Sequence, residues 1–191
     1  AAIVERLVRA GADINCNQRG EGSTALILAS QQGHVDVVDC LLSLGADTET
    51  KDNFTRTALL VACVAGKVDV VDRLLAAGCN VNATDRNNFS PLIFASIGGY
   101  VPIIDRLVVH GADFNHRDNW ESDALIWASR RCLVDVVDRL LSLGCDANVR
   151  DNKGKTALMW AYSTRKNEII RLLLDHGADS LLCDDDDDGQ E

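Results

Sequence analysis

Aliphatic and charged positions recur along this chain with the spacing of amphipathic helices. The octet VDVVDRLL spans residues 68–75 and recurs letter for letter at 134–141, and the close copy VDVVDCLL spans 35–42. Within each octet, aliphatic residues fall at i, i+3, i+6 and i+7, which places them on one face of a helix and the aspartates on another. The copies start 33 and then 66 residues apart. A fixed period of about 20–50 residues is typical of repeat proteins.

Three further signals follow the same period. A glycine suited to end a helix recurs at Gly11, Gly45, Gly78, Gly111, Gly144 and Gly177. A shorter apolar element begins at a residue able to cap free backbone N–H groups, namely Thr24, Thr57, Ser90, Asp123 and Thr156. Turns rich in Asn and Gly open at Asp52, Asp85, Asp118 and Asp151. Each unit is therefore predicted to contain a turn, a short helix, a second turn and a longer helix.

The turn Asp, the T-x-L start, the central Ala, the paired Leu and the Gly-Ala-Asp together resemble the ankyrin repeat. This resemblance implies an all-α fold, a solenoid of stacked helix-turn-helix units with hairpin-like connecting loops. Such units bury their apolar faces only against their neighbours. We expect one domain over residues 1–183 and an acidic tail at 184–191. The predicted units are a partial repeat at 1–16 and full repeats at 17–50, 51–83, 84–116, 117–149 and 150–182.

Departures from the family pattern predict local differences. The first full unit has one extra residue near residues 19–21, so its hairpin tip should bulge. The glycine that joins the two helices, as in Gly33, is replaced by Cys132 and Arg165 in the last two units, which should strain or reshape those turns. The family's usual His after T-P-L is absent throughout, so hydrogen bonds between adjacent turns must be made differently or not at all.

Charge and cysteine content narrow the function classes. The net charge is −10, and residues 184–191 carry six acidic groups, which leaves 23 acidic against 19 basic residues and a net charge of −4 for the rest. This balance argues against general nucleic-acid binding. The longest apolar run, 58–65, is too short to cross a bilayer. Seven cysteines without a C-x-x-C pair favour reduced thiols, and we expect a cytoplasmic protein, with the nucleus left open.

No arrangement of residues predicts catalysis. The sequence contains no phosphate-binding G-x-x-x-x-G-K-[ST] loop and no nucleophile elbow. The four His residues show no spacing suited to zinc ligands. The aspartates recur at turn starts and outward helix faces, where solvated or turn-stabilising carboxylates are common. We therefore expect no enzyme, no cofactor and no metal.

The resemblance implies a partner-binding surface across the hairpin tips and the shorter, inner helices, which together form a concave face. Nine of the 19 basic residues map to this face, whereas the longer, outer helices collect aspartates. Aromatic residues and Arg dominate interface energetics, and a basic concavity should favour an acidic or phosphorylated segment. The candidate partner-binding residues, called here the aromatic–basic face, are Phe54, Arg56, Arg86, Phe89, Trp120, Trp127, Arg130, Arg131 and Trp160.

Two roles remain open for one aromatic stripe in this face. Phe94, Trp127 and Trp160 share one position of the repeat and either pack between adjacent inner helices or contact a ligand directly. The unit 117–149 has the highest concentration of unusual residues on the concave face, so we expect the centre of binding there. The acidic tail is interpreted as a disordered, solubilising end, as a competitor for acidic ligands, or as a lead into another domain.

We therefore expect a non-catalytic protein–protein interaction module that binds a protein or peptide partner. Nucleic acid, membrane insertion and a small-molecule substrate are not expected. The alternative is a structural spacer, or a regulatory slice of a longer ankyrin solenoid attached to an enzyme or channel.

Overall fold

The computed structural model describes residues 2–18 and 20–180. This part of the chain holds eleven α-helices and no β-strand, which confirms the predicted all-α fold. One helix comes first, and five helix pairs follow. The helices are α1 (Ala2–Arg9), α2 (Ala25–Gln32), α3 (Val35–Ser43), α4 (Ala58–Val64), α5 (Val68–Ala76), α6 (Pro91–Gly98), α7 (Val101–Val109), α8 (Ala124–Arg130), α9 (Val134–Ser142), α10 (Ala157–Ser163) and α11 (Asn167–Asp175). The acidic tail, 184–191, lies outside the described residues.

The first helix of each pair begins at a side-chain cap, as predicted. Thr24, Thr57, Ser90 and Thr156 each accept a hydrogen bond from the backbone N–H three residues later, at 3.3–3.4 Å. Asp123 does the same through a carboxylate oxygen, at 2.8 Å from the Ile126 nitrogen. These bonds satisfy N–H groups that the first helical turn leaves without a partner.

The helices stack in two rows. The inner helices α2, α4, α6, α8 and α10 pack one on the next, and the outer helices α3, α5, α7, α9 and α11 form the second row, with α1 against α3. Leucine, isoleucine and valine fill the space between the rows, and Leu74, Leu107, Leu140 and Leu173 are fully buried at one repeated position. Val70 and Val136, outside the predicted apolar stripe, are buried as well, because each outer helix also packs against neighbouring outer helices.

The departures predicted from the sequence have clear structural outcomes. The Gln18 nitrogen donates to the Ser23 carbonyl at 3.0 Å, across one residue more than the equivalent bond from Asp52 to Arg56, which confirms the longer first turn. Cys132 and Arg165 keep the left-handed backbone of the glycines they replace, with φ of 60° and 55°. These two turns are therefore strained and not reshaped.

Side chains bond adjacent turns at several places. Asn82 donates to the Gly111 carbonyl at 3.2 Å and accepts from the Asp113 nitrogen at 2.9 Å. Asn148 repeats the pattern two units further on, with the Gly177 carbonyl at 3.1 Å and the Asp179 nitrogen at 2.8 Å. Hydrogen bonds between adjacent turns are therefore made without the family's usual His.

Ion pairs join successive outer helices on the convex side. Arg139 Nε lies 2.6 Å from Asp105 Oδ1 and Arg106 Nε lies 2.9 Å from Asp72 Oδ1. Arg73 makes a longer contact of the same kind, 3.5 Å from an oxygen of Asp39. Arg73, Arg106 and Arg139 are thereby paired with aspartates of the preceding outer helix.

No helix in residues 2–18 and 20–180 is both long enough and apolar enough to cross a membrane. The six cysteines within these ranges form no disulfide bond with one another, and Cys183 lies outside them.

Candidate partner-binding surface

The hairpin tips are shaped by the turn aspartates. Asp118 Oδ1 accepts hydrogen bonds from the backbone nitrogens of Trp120 and Ser122, at 2.8 and 2.9 Å. The equivalent aspartates, Asp52, Asp85 and Asp151, bond the nitrogens two and four residues later in the same way. Each carboxylate therefore holds its tip closed and fixes the direction in which the next side chains project.

Backbone hydrogen bonds link successive tips. The nitrogen of Asn152 donates to the Trp120 carbonyl at 2.9 Å, and the nitrogen of Asn119 donates to the Asn87 carbonyl at 3.1 Å. The same contact joins Asn53 to Glu21 at 2.9 Å. The tips consequently present their side chains at regular intervals beside the inner helices.

The second oxygen of two turn aspartates anchors a tryptophan. Trp127 Nε1 donates to Asp118 Oδ2 at 2.7 Å, and Trp160 Nε1 donates to Asp151 Oδ2 at 2.9 Å. Both aspartates are almost completely buried, so these bonds satisfy carboxylate oxygens that would otherwise lack a partner. In the earlier unit, Arg56 Nε fills the same role on Asp52 Oδ2 at 2.8 Å.

Phe89 lies at the centre of an aromatic cluster. Its ring centroid is 5.1 Å from that of Phe94, and 5.6 Å from those of Trp120 and of Trp127. These are favourable distances for tilted aromatic pairs. Phe89, Phe94 and Trp127 are partly buried, so they serve as packing between tips and inner helices.

Arg130 lies between two indole rings. Its guanidinium carbon is 4.3 Å from the centroid of Trp127 and 4.5 Å from that of Trp160, within the range of a cation–π contact. Lys155 Nζ lies 5.4 Å from the Trp160 centroid. Within the described ranges, no carboxylate or carbonyl pairs with the Arg130 guanidinium.

A smaller cation–aromatic group surrounds Phe54. The guanidinium carbons of Arg56 and Arg86 lie 4.8 and 4.4 Å from its ring centroid. Arg56 is also paired with Asp52, at 2.6 Å, whereas Arg86 is exposed and has no such pair among the residues described. Phe54 itself is 40% exposed.

An open cleft of about 320 Å³ lies between the last two tips. Its lining combines indole rings, two cationic side chains and one carboxylate. The lining residues are Trp120, Ser122, Trp127, Arg130, Asp151, Asn152, Lys153 and Trp160.

The residues of the aromatic–basic face therefore differ in their exposure to solvent. Phe54, Arg86, Trp120 and Arg131 are exposed. Arg56, Phe89, Trp127, Arg130 and Trp160 are partly buried. Sequence reasoning assigned the turn aspartates only to the turns and missed their bonds to the indoles. A Trp nine residues after a turn Asp, present twice, was the available signal.

The described residues contain no cluster of three His, Cys, Asp or Glu residues that could hold a metal ion. Burial raises the pKa of the Cys79 and Cys145 thiols to about 12, so neither is a reactive thiolate at neutral pH.

Comparison with protein-family models gives one family for the chain. The model described as "Ankyrin repeats (3 copies)" matches residues 1–85, 70–151 and 92–184. A search of curated proteins found no match. The family match covers the helix pairs and the tips that carry the aromatic–basic face.

Proposed function

Because this chain belongs to the ankyrin-repeat family, whose members are generally protein-interaction modules and typically non-catalytic, we propose that it binds a partner segment through its aromatic–basic face. The segment is acidic and lies along the concave side. Six cysteines that form no disulfide bond among the described residues support a cytoplasmic or nuclear location, because thiols stay reduced there. Neither nucleic acid nor a small-molecule substrate belongs to this proposal.

The observation that carries the proposal is the position of Trp120. Its indole is 42% exposed at the mouth of the cleft lined by Arg130, Lys153 and Trp160. Its backbone bonds Asp118 and Asn152, and its ring contacts Phe89. An exposed indole beside cationic side chains has the composition of an interface hot spot.

Charge separation supports an acidic partner. Arg86 and Arg131 are exposed on the aromatic–basic face, and neither has an ion pair among the described residues. Arg106 and Arg139 on the convex side, by contrast, are paired with Asp72 and Asp105. The unpaired positive charge of Arg86 and Arg131 would steer an acidic segment to the concave side.

The proposal is tested by affinity capture from cell lysate with three forms of the 191-residue chain. The parent is compared with a Trp120→Ala/Arg131→Ala variant and with a control, Val109→Ala/Arg171→Ala, which removes exposed apolar and cationic side chains from outer helices. Circular dichroism verifies that all three are folded.

We expect the parent and the control to capture the same proteins, and the Trp120→Ala/Arg131→Ala variant to lose them. Equal capture by all three forms would reject the aromatic–basic face as the binding surface. Capture of nothing by any form would favour a structural spacer.

A further inference from the structure

We propose that Arg130 forms a subsite for one carboxylate, the side chain of an Asp or Glu in the partner segment. This inference rests on the proposed function and deepens it, because it assigns the chemistry of one position in the cleft. Three features carry it: the guanidinium is held in place, it lacks a counter-ion, and its surroundings favour a single negative charge.

The guanidinium is held in a fixed orientation. It lies 4.3 Å from one indole centroid and 4.5 Å from the other, so both rings contact it. The indoles are themselves fixed, because Trp127 bonds Asp118 and Trp160 bonds Asp151. No acceptor among the described residues bonds the guanidinium, so its N–H edge is the free recognition element. That edge matches the two oxygens of a carboxylate.

The charge of Arg130 is not neutralised within the described ranges. Its nearest candidate counter-ions, Asp118 and Asp151, use one oxygen for two backbone nitrogens and the other for an indole. Arg56 provides the internal contrast, because its guanidinium is paired with Asp52 at 2.6 Å. Arg130 is thus a preorganised cation whose partner must come from another molecule.

The surroundings exclude a cationic ligand and disfavour a dianion. The aromatic surfaces that would hold a cationic side chain are already covered by Arg130 and Lys155. The cleft lining carries the positive charges of Arg130 and Lys153 and the negative charge of Asp151, so one carboxylate balances the net charge of +1, whereas a phosphate dianion keeps one charge without a counter-ion at a larger desolvation cost. A carboxylate therefore fits this subsite better than a phosphorylated side chain.

The exposed ring of Trp120 completes the subsite. It lies at the mouth of the cleft and is not needed to hold Arg130, which stacks on the other two indoles. An apolar side chain next to the acidic residue of the partner would cover this ring. The preferred ligand is accordingly a peptide in which an Asp or Glu stands beside an aromatic or aliphatic residue.

The test begins with selection of peptides from a random display library on the full 191-residue chain. The tightest peptide carrying an acidic residue is then synthesised in three forms, with Glu, Gln or phosphoserine at the acidic position. Dissociation constants are measured by calorimetry against the parent, Arg130→Met and Arg131→Met. Methionine keeps an apolar stem between the indoles and removes the charge, and Arg131 is the adjacent cation, exposed and unstacked.

We expect Glu→Gln in the peptide and Arg130→Met in the chain to remove the same interaction. Glu→Gln in the peptide weakens binding to the parent by about tenfold or more. Arg130→Met weakens binding of the Glu peptide by a similar factor, and leaves the Glu and Gln peptides equal. Arg131→Met preserves the Glu preference, and the phosphoserine peptide binds the parent more weakly than the Glu peptide.

Three outcomes would overturn the subsite. They are a selection that yields no acidic peptide, a Glu preference that survives Arg130→Met, and a phosphoserine peptide that binds more tightly than Glu. Failure of the proposed function has a different signature. In that case the selected peptides bind the Trp120→Ala/Arg131→Ala variant as tightly as they bind the parent.

Discussion

At the residue scale, Asp123 makes a favourable capping hydrogen bond but is buried, which is unfavourable for a charged carboxylate. Thr or Ser caps the other inner helices, whereas here a carboxylate 3% exposed caps α8. Burial raises the pKa of Asp123 from its ordinary value of 3.8 to about 6, although the hydrogen bond from Ile126 and the charge of Arg117 act in the opposite direction. The folded chain therefore binds this proton more tightly than the unfolded chain does.

This shift makes folding stability fall as the pH rises from about 4 to about 6. We expect Asp123→Thr, which restores the cap used elsewhere, to remove that decline. The variant should be more stable than the parent at pH 8, by about 2–3 kcal/mol if the whole shift is recovered, and the gain should shrink toward pH 4.

Urea denaturation at pH 4 and pH 8 measures the difference. Asp135→Thr, on the exposed side of α9, controls for the change in net charge. A gain of equal size at both pH values would show that burial of the charged form is not its cause.

At the element scale, each tip and its inner helix are coupled through the turn aspartate. Asp118 accepts three hydrogen bonds, two from its own tip and one from the α8 indole of Trp127. Asp85 accepts only the two bonds within its tip, because the residue at the position of Trp127 is Phe94. The two units thus differ by one tip-to-helix bond, and Asp85 is also less buried than Asp118.

Replacing each aspartate with alanine separates the energy of the bonds within the tip from the energy of the bond to the indole. We expect Asp118→Ala to lower the free energy of unfolding by about 3 kcal/mol and Asp85→Ala by about 1–2 kcal/mol, because only the first leaves an indole N–H without its acceptor. Asp118→Ala should also loosen the Trp127 ring. Chemical denaturation gives the energies, and a changed indole N–H resonance reports the ring. Equal losses in the two variants would mean that the Trp127 bond adds nothing to stability.

At the scale of the whole molecule, the stack is held by contacts between neighbours alone. Each inner helix packs on the next inner helix, and each outer helix packs on the next outer helix. Leu107 in α7 and Leu173 in α11 occupy the same repeated position and are both fully buried. They differ in that α7 has an outer helix on each side, whereas α11 contacts only α9 among the outer helices described.

Truncation to alanine at these two positions should therefore destabilise different parts of the stack. Both changes remove about the same apolar volume, at about 2–4 kcal/mol each. Leu173→Ala should reduce amide hydrogen-exchange protection in α10 and α11 and leave α4 to α7 protected, whereas Leu107→Ala should reduce it in helix pairs on both sides. Uniform loss of protection in the Leu173→Ala variant would instead indicate one indivisible folding unit.

The sequence by itself determined the architecture, because the determinants of each unit are local and repeat at a fixed period. Apolar residues at helical spacing mark the buried faces, and a Thr, Ser or Asp starts each inner helix. The 33-residue recurrence of the joining glycine also indicated that Cys132 and Arg165 stand at strained positions. The helices and their caps follow from helix geometry and capping chemistry, whereas the stacked solenoid and the role of the joining glycine were implied by the resemblance to the ankyrin repeat.

Only the tertiary structure decided the roles within the aromatic–basic face. Whether Trp127 and Trp160 support the face depends on bonds to Asp118 and Asp151 nine residues away, and on Arg130 filling the space between two successive units. Burial of Val70 and Val136 likewise follows from outer helices on both sides. A period in sequence identifies equivalent positions, but side chains from adjacent units compete for the same space and the same hydrogen-bond acceptors, and that competition is settled only when the units stack.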